Sequence, residues 1–304
     1  MKSNSVKNNN IYTNFPKQTS FLYYTKFIQH EGLMAKKKWG QNFLIQQEVV
    51  DSIVLAADVK NSDSILEIGP GLGILTTALL ECNSEVTAIE IDPELCIMLR
   101  KRFKSEKKFT LLEMDAMELS PEAFSGLIPA PAKVVANLPY NITTPLILKM
   151  LPFRNAWQSL TLMVQLEVAE RICATPESGK VYGPLSLVGA LGFESTIIAK
   201  IPPESFKPAP KVDSALIQLL PRTSGLTPEN EKRFLKWSQL LFQQRRKTLM
   251  NGIRQHFPEW YQNRGDSLRE SFSLRRPETL DFKEWMDLFS DYLKIDQNEI
   301  FAGI

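Results

Sequence analysis

Cysteine and histidine are scarce in this chain: of 304 residues, three are cysteines and two are histidines. Cys82, Cys96 and Cys173 lie far apart with no Cys-x-x-Cys pair, and His30 and His256 are widely separated. That spacing offers neither a zinc ligand set nor a disulfide framework, so no metal is expected and a reducing, cytoplasmic setting fits best. Long apolar runs are missing too. Even Leu160 to Val168 is short and interrupted by Gln165 and Glu167, which excludes a membrane span there. An excess of one charge is also absent, since 36 basic and 34 acidic residues leave +2. Nucleic-acid binding must therefore come from local basic patches rather than a global field. Residues 1–33 lack arginine and are poor in acids but rich in Asn, Ser and Lys. They read as a disordered tail or as an upstream extension before a start at Met34, and the missing arginine argues against a targeting peptide.

What is present is a hydrophobic content of 43%, enough to bury the core of one large domain and a smaller one. From Ser64, short β-branched runs alternate with stretches of helical period, which predicts strand-helix-strand units and an α/β fold with a parallel sheet. Strands are expected at Ser64 to Ile68, Glu85 to Ile91, Phe109 to Glu113, Lys133 to Ala136 and Leu160 to Gln165. Helices are expected at Ile74 to Cys82, from Pro93, and at Thr144 to Leu151. Ser195 to Ile201 and Ala215 to Leu220 read as a final strand pair flanking the proline-rich loop Pro202 to Pro210. After Pro221 the composition turns helical, placing a domain boundary near Arg222. In that part, apolar residues recur at helical spacing from Arg233 to Phe257, with Arg245, Arg246 and Lys247 clustered in the middle.

Gly69-Pro70-Gly71-Leu72-Gly73 follows the first strand, where glycines let the chain turn sharply and a ligand lie against the backbone. The third glycine comes two residues after the second, unlike the dinucleotide fingerprint of nicotinamide and flavin enzymes. Glu90 ends the second strand and Asp115 follows the third. Either acid alone reads as a helix cap or a solvated loop residue. Together, at successive strand ends, they suit a nucleoside: Glu90 for the ribose hydroxyls of an adenosyl group and Asp115 for its exocyclic amine.

Asn137-Leu138-Pro139-Tyr140 follows the fourth strand and fits the methylation of an aromatic amine. An adenine amino nitrogen is a poor nucleophile because its lone pair is delocalised. Two acceptors on its hydrogens, the Asn137 side-chain oxygen and the Leu138 carbonyl held by Pro139, would draw it toward a tetrahedral geometry. Tyr140 offers a face on which an extruded base can stack. Charged catalytic residues are not required, because the product amine sheds its proton readily. Phe206, within its proline-stiffened loop, reads either as a second ring for the base or as a hydrophobic anchor of that loop.

These motifs resemble the ribosomal RNA adenine dimethyltransferases, specifically the branch acting on the small subunit. The likeness runs from about Lys36 to about Asn251. It rests on Gly40 to Leu44, Glu67 to Gly71, Glu90 to Asp92, Asp115-Ala116, Asn137 to Pro145, Tyr182 to Ser186, Phe206 to Ser214 and Phe242 to Lys247. The resemblance implies a Rossmann-like class I methyltransferase sheet over 34–221 with a smaller all-α domain over 222–304 that holds RNA. It also implies S-adenosylmethionine held by Asn42, Leu44, Gly69, Glu90, Asp115 and Asn137, with Gly71 in the glycine turn. The implied reaction is dimethylation of two adjacent adenines in a hairpin loop near the 3′ end of 16S ribosomal RNA, on an immature small subunit, by a monomer. The sister families methylate large-subunit RNA or act as mitochondrial transcription factors; Tyr182 to Ser186 and Phe242 to Lys247 resemble the small-subunit branch more. Lys36, Lys37, Lys38, Arg245, Arg246 and Lys247 are then candidates for phosphate contacts. Their alternatives are a solvated face and, for Arg245 and Arg246, pairing with the catalytic domain.

Overall fold

The computed structural model describes residues 35–36, 39–120 and 128–302, with side chains described as far as Asp296. The readings made above for residues 1–33 and for Lys37 and Lys38 fall outside the described residues. Strand β1 (Phe43–Leu44) and helix α1 (Gln47–Ala56) come first. The alternating part follows: β2 (Ser64–Ile68), α2 (Ile74–Glu81), β3 (Glu85–Glu90), α3 (Pro93–Arg102), β4 (Phe109–Glu113), β5 (Ala132–Asn137), α4 (Thr143–Met150) and β6 (Trp157–Gln165). Then come α5 (Leu166–Cys173), α6 (Pro184–Gly192), β7 (Phe193–Ile201), β8 (Phe206–Lys207) and β9 (Ser214–Pro221). The C-terminal part is α7 (Pro228–Phe242), α8 (Leu249–His256), α9 (Pro258–Phe272) and α10 (Phe282–Ala302).

Seven strands form one sheet in the order β4-β3-β2-β5-β6-β9-β7. β2 to β6 run parallel, and β9 lies antiparallel between β6 and β7. The apolar runs of β2, β5 and β6 are buried along almost their whole length, as strands covered on both faces must be, whereas edge strand β7 alternates between shielded and exposed positions. Strand order reverses between β2 and β5, and the ends of those two strands are where open α/β sheets bind ligands. The loop between β7 and β9 carries β8, which pairs antiparallel with β1 through Phe43↔Lys207 and Leu44↔Phe206. The segment before the cofactor turn is thereby stitched to the proline-rich loop.

Alternate residues of each strand feed two cores. Ile65, Val135 and Met163 face α1 and α2, while Leu66, Val134 and Leu162 face a larger cluster that continues into Trp237, Phe242, Trp285 and Phe289 of the C-terminal helices. A buried ion pair reinforces that join. Arg154 Nη1 and Nη2 donate to Glu231 at 3.0 and 2.5 Å, and Arg154 Nε donates to the Arg222 carbonyl at 2.8 Å. The stretch with helical spacing from Arg233 to Phe257 is two helices, α7 and α8, and Arg245 to Lys247 sit in the break. A turn closed by Lys247 N–H on Gln244 O and a tether from Leu249 N–H to Arg275 O redirect the chain there.

Candidate active site

The turn after β2 brings Gly69 and Gly71 to φ +69° and +57°, a region that side chains with a Cβ rarely adopt. A Cβ on Gly71 would stand 3.2 Å from the ring of Phe43, so β1 and the turn form the two close walls of a cleft. Glu90, at the end of β3, is buried to 5% exposure. Its Oε1 accepts from the Ile91 and Asp92 amides at 3.0 Å each, and its Oε2 only from Gly71 N–H at 3.3 Å. Burial raises its pKa and the three amides oppose that shift. The lightly engaged Oε2 is left to accept from a ligand. Asp115 caps the single 3-10 turn after β4, with Oδ1 accepting from Met117 N–H at 2.8 Å. Behind the turn, Glu67 is 1% exposed and accepts from Thr76 Oγ1 at 2.7 Å. Burial pushes its pKa up to about 8, so at neutral pH it is chiefly protonated.

On the far side of the switch point lie Asn137, Leu138, Pro139 and Tyr140. Asn137 Nδ2 donates to the Asn42 carbonyl at 3.3 Å, an assignment that leaves Oδ1 as the acceptor. Leu138 N–H donates to Met163 O at 3.1 Å, and with Pro139 next in the chain this fixes the direction of the Leu138 carbonyl. Tyr140 is half-buried and its hydroxyl lies 2.7 Å from Ser214 Oγ. Asn42, Leu44, Gly69, Gly71, Glu90, Asp115 and Asn137 to Tyr140 all line one cleft.

Three expected residues are placed elsewhere or already engaged. Phe206 is 3% exposed and packed in the core with Leu44 and Met163, outside the cleft lining. This is the anchoring reading, since a ring that stacks on a base must be reachable. Lys36 binds Asp92 and Glu94 at 2.8 and 2.9 Å, so its ammonium is committed beside α3. Arg245 donates to the carbonyls of Lys180 and Tyr182 at 2.7 and 3.0 Å, clasping the helical part to the loop before α6. Arg246 and Lys247 are exposed.

Gly40 and Gln41, which the sequence marks only as part of a family motif, form with Trp39 a strap beside the cleft. Trp39, Gly40 and Gln41 join its lining, Gln41 Nε2 donates to Asp92 Oδ2 at 3.0 Å, and Gln41 Oε1 accepts from Lys36 N–H at 2.7 Å. The bond to Asp92 spans 51 residues of sequence, and no local pattern announces it. Ile91 and Met114, next to the two acids, supply apolar wall.

A nucleoside-sized group with a hydroxylated sugar would find a lightly engaged carboxylate oxygen at Glu90, a second acid at Asp115, apolar wall beside them and glycine backbone on which no Cβ intrudes. S-adenosylmethionine has those features, and on this sheet the combination defines a class I methyltransferase that uses it. The narrower assignment comes from likeness to other chains. Residues 32–267 match the ribosomal RNA adenine dimethylase family, and the chain belongs to that family. It is 39% identical over 242 residues to the "Ribosomal RNA small subunit methyltransferase A" of Magnetococcus marinus, covering 78% of this chain and 86% of the other. It is 37% identical over 265 residues to the protein of the same name from Synechococcus elongatus, covering 84% and 95%. Among solved structures, a dimethyladenosine transferase from Plasmodium falciparum is similar with a TM-score of 0.70 at 28% identity, covering 84% of this chain and 98% of the other. The 23S rRNA methyltransferase ErmE follows with a TM-score of 0.61 at 25% identity, covering 84% and 100%.

Proposed function

We propose that this enzyme dimethylates the N6 amino groups of two adjacent adenines in the 3′-terminal hairpin loop of 16S ribosomal RNA, on an immature small subunit in the cytoplasm, as a monomer. The observation that carries the chemistry is the Asn137 amide, whose nitrogen is engaged by Asn42 O so that its oxygen is the acceptor offered to an incoming amine. Bound S-adenosylmethionine supplies an electrophilic methyl group on sulfur. The chain's own residues do the rest. Glu90 and Asp115 hold the adenosyl end, Asn137 Oδ1 and the Leu138 carbonyl accept from the two N6 hydrogens, and Tyr140 stacks the base. Orientation in a largely neutral site suffices for such a transfer. Bases in an RNA loop can be splayed into the cleft without first being unpaired from a duplex.

The choice of subunit is supported by the names of the relatives above and by the Tyr182 to Ser186 and Phe242 to Lys247 segments. In this reading residues 34–221 are catalytic and 222–304 hold the RNA, with phosphate contacts from Arg246 and Lys247. Among the described residues no helix is long and apolar enough to cross a membrane. The test is transfer of labelled methyl from S-adenosylmethionine to immature small subunits from cells lacking the protein, with the modified bases mapped by primer extension. Label on two adjacent adenines near the 3′ end of 16S RNA is expected. Label on large-subunit RNA would refute the choice of subunit, and retained binding without label would leave a non-catalytic assembly factor.

A further inference from the structure

We propose that Ser214 is a positioning residue for methyl transfer, its hydroxyl fixing the plane of the Tyr140 ring. The proposal rests on the stacking role given to Tyr140 above. Ser214 opens β9 and is fully buried, at 0% exposure. In the sheet it stands opposite Gln165 of β6 and Ile201 of β7, so its backbone is held from both sides. Its Oγ, 2.7 Å from the Tyr140 hydroxyl, is therefore anchored in a stiff part of the molecule.

Tyr140 is placed differently. It belongs to the turn between β5 and α4, and its ring can pivot about two side-chain torsions. The backbone of that turn is held by Leu138 N–H on Met163 O and Ile142 N–H on Pro139 O, at 3.1 and 3.2 Å. Neither bond restrains the ring. The contact with Ser214 supplies the missing restraint at the far end of the side chain, and Met163 and Ser214 belong to the paired strands β6 and β9. One strand pair thus holds the turn by its backbone at Leu138 and the tyrosine by its tip. Stacking uses the ring face alone, so the hydroxyl is free to serve as a tether, and its contribution is separable from that of the ring.

The separation defines the experiment: methyl transfer to immature small subunits by Ser214→Ala, Tyr140→Phe, the double variant and Tyr140→Ala. Loss of the tether should lower kcat about five- to tenfold in each single variant, with no further loss in the double, because one hydrogen bond is removed in all three. The Kd for S-adenosylmethionine should not move, which a general loosening of the cleft would not spare. Tyr140→Phe, at a half-buried site, keeps the test open should Ser214→Ala fold poorly. The proposal is overturned if the foldable single variants keep kcat within about twofold of the parent, or if their losses add in the double. Tyr140→Ala tells the two claims apart. A severe loss there, with Tyr140→Phe and Ser214→Ala unaffected, leaves stacking standing and removes the tether; an unaffected Tyr140→Ala removes the stacking role itself.

Discussion

Replacing Asn137 by alanine removes one acceptor from the amine and one donor from the Asn42 carbonyl. The two losses differ in size. The donor bond is long, at 3.3 Å, and Asn137 is only partly buried, so water can replace it at little cost in stability. The acceptor matters at the moment of transfer, when the attacking nitrogen gains positive charge and its N–H groups become stronger donors. A hydrogen bond that acquires charged character is worth about 1.5–3 kcal/mol, which corresponds to a loss of about 10- to 150-fold in kcat. In the ground state the amine is neutral, so the KM for RNA should change little. The assay is single-turnover transfer of labelled methyl at saturating S-adenosylmethionine and saturating immature subunits, with the Kd for the cofactor measured separately by calorimetry. Since Asn137 also lines the cofactor cleft, a weakening of up to about tenfold in that Kd is compatible with the reasoning. A transfer rate within about threefold of the parent, or an effect confined to the cofactor Kd, would refute the acceptor role.

Glu90→Ala removes the carboxylate offered to the ribose hydroxyls, and calorimetry should show cofactor affinity falling about 10- to 100-fold while RNA binding holds; unchanged affinity would displace Glu90 from the site. Glu67 binds a proton in the folded state up to about pH 8 but releases it near 4.5 when unfolded. It therefore costs stability increasingly as pH rises from 4.5 to 8, with no further change above. Glu67→Gln should remove that slope, so its Tm relative to the parent should climb between pH 5 and pH 8; parallel curves would exclude a raised pKa. Glu231→Gln leaves the buried Arg154 guanidinium without its counter-charge, a loss of about 3–5 kcal/mol and, for a chain of this size, about 5–8 °C in Tm. A drop below about 3 °C would show that the pair is not holding the helices to the sheet.

Sequence legibility followed local composition and strand ends rather than burial. β2 and β4 start and stop where their runs of Ile, Leu and Thr do, because central and partly covered strands select such residues regardless of neighbours. β6 begins three residues earlier than its apolar run suggests, as Trp157, Gln158 and Ser159 are recruited by pairing with Ala132 and Lys133. Helix α1 has no proline or cap to announce it, and its valines and isoleucine are equally at home in strands. Within the cleft, the placement of Glu90, Asp115 and Asn137 to Tyr140 was legible because each lies at or just past the end of a strand, where the fold itself sets position. Phe206 could not be settled, since stacking and anchoring differ only in tertiary exposure. Lys36 and Arg245 had the charge expected of phosphate ligands, but their partners Asp92, Lys180 and Tyr182 lie far along the chain.

The continuous core beneath the sheet and the C-terminal helices makes this molecule a gauge of fixed span. Trp237, Phe242 and Trp285 share one buried cluster with Leu162 and Val134, and Arg154 is locked to Glu231 across the join, so a swing of the helices would have to break a packed core and a buried ion pair. The distance from the exposed Arg246 and Lys247 to Tyr140 is consequently set before any RNA arrives. In the function proposed above, an RNA held at Arg246 and Lys247 would have to reach the cleft by its own bending, and a particle whose fold set that reach wrongly would be turned away by length alone.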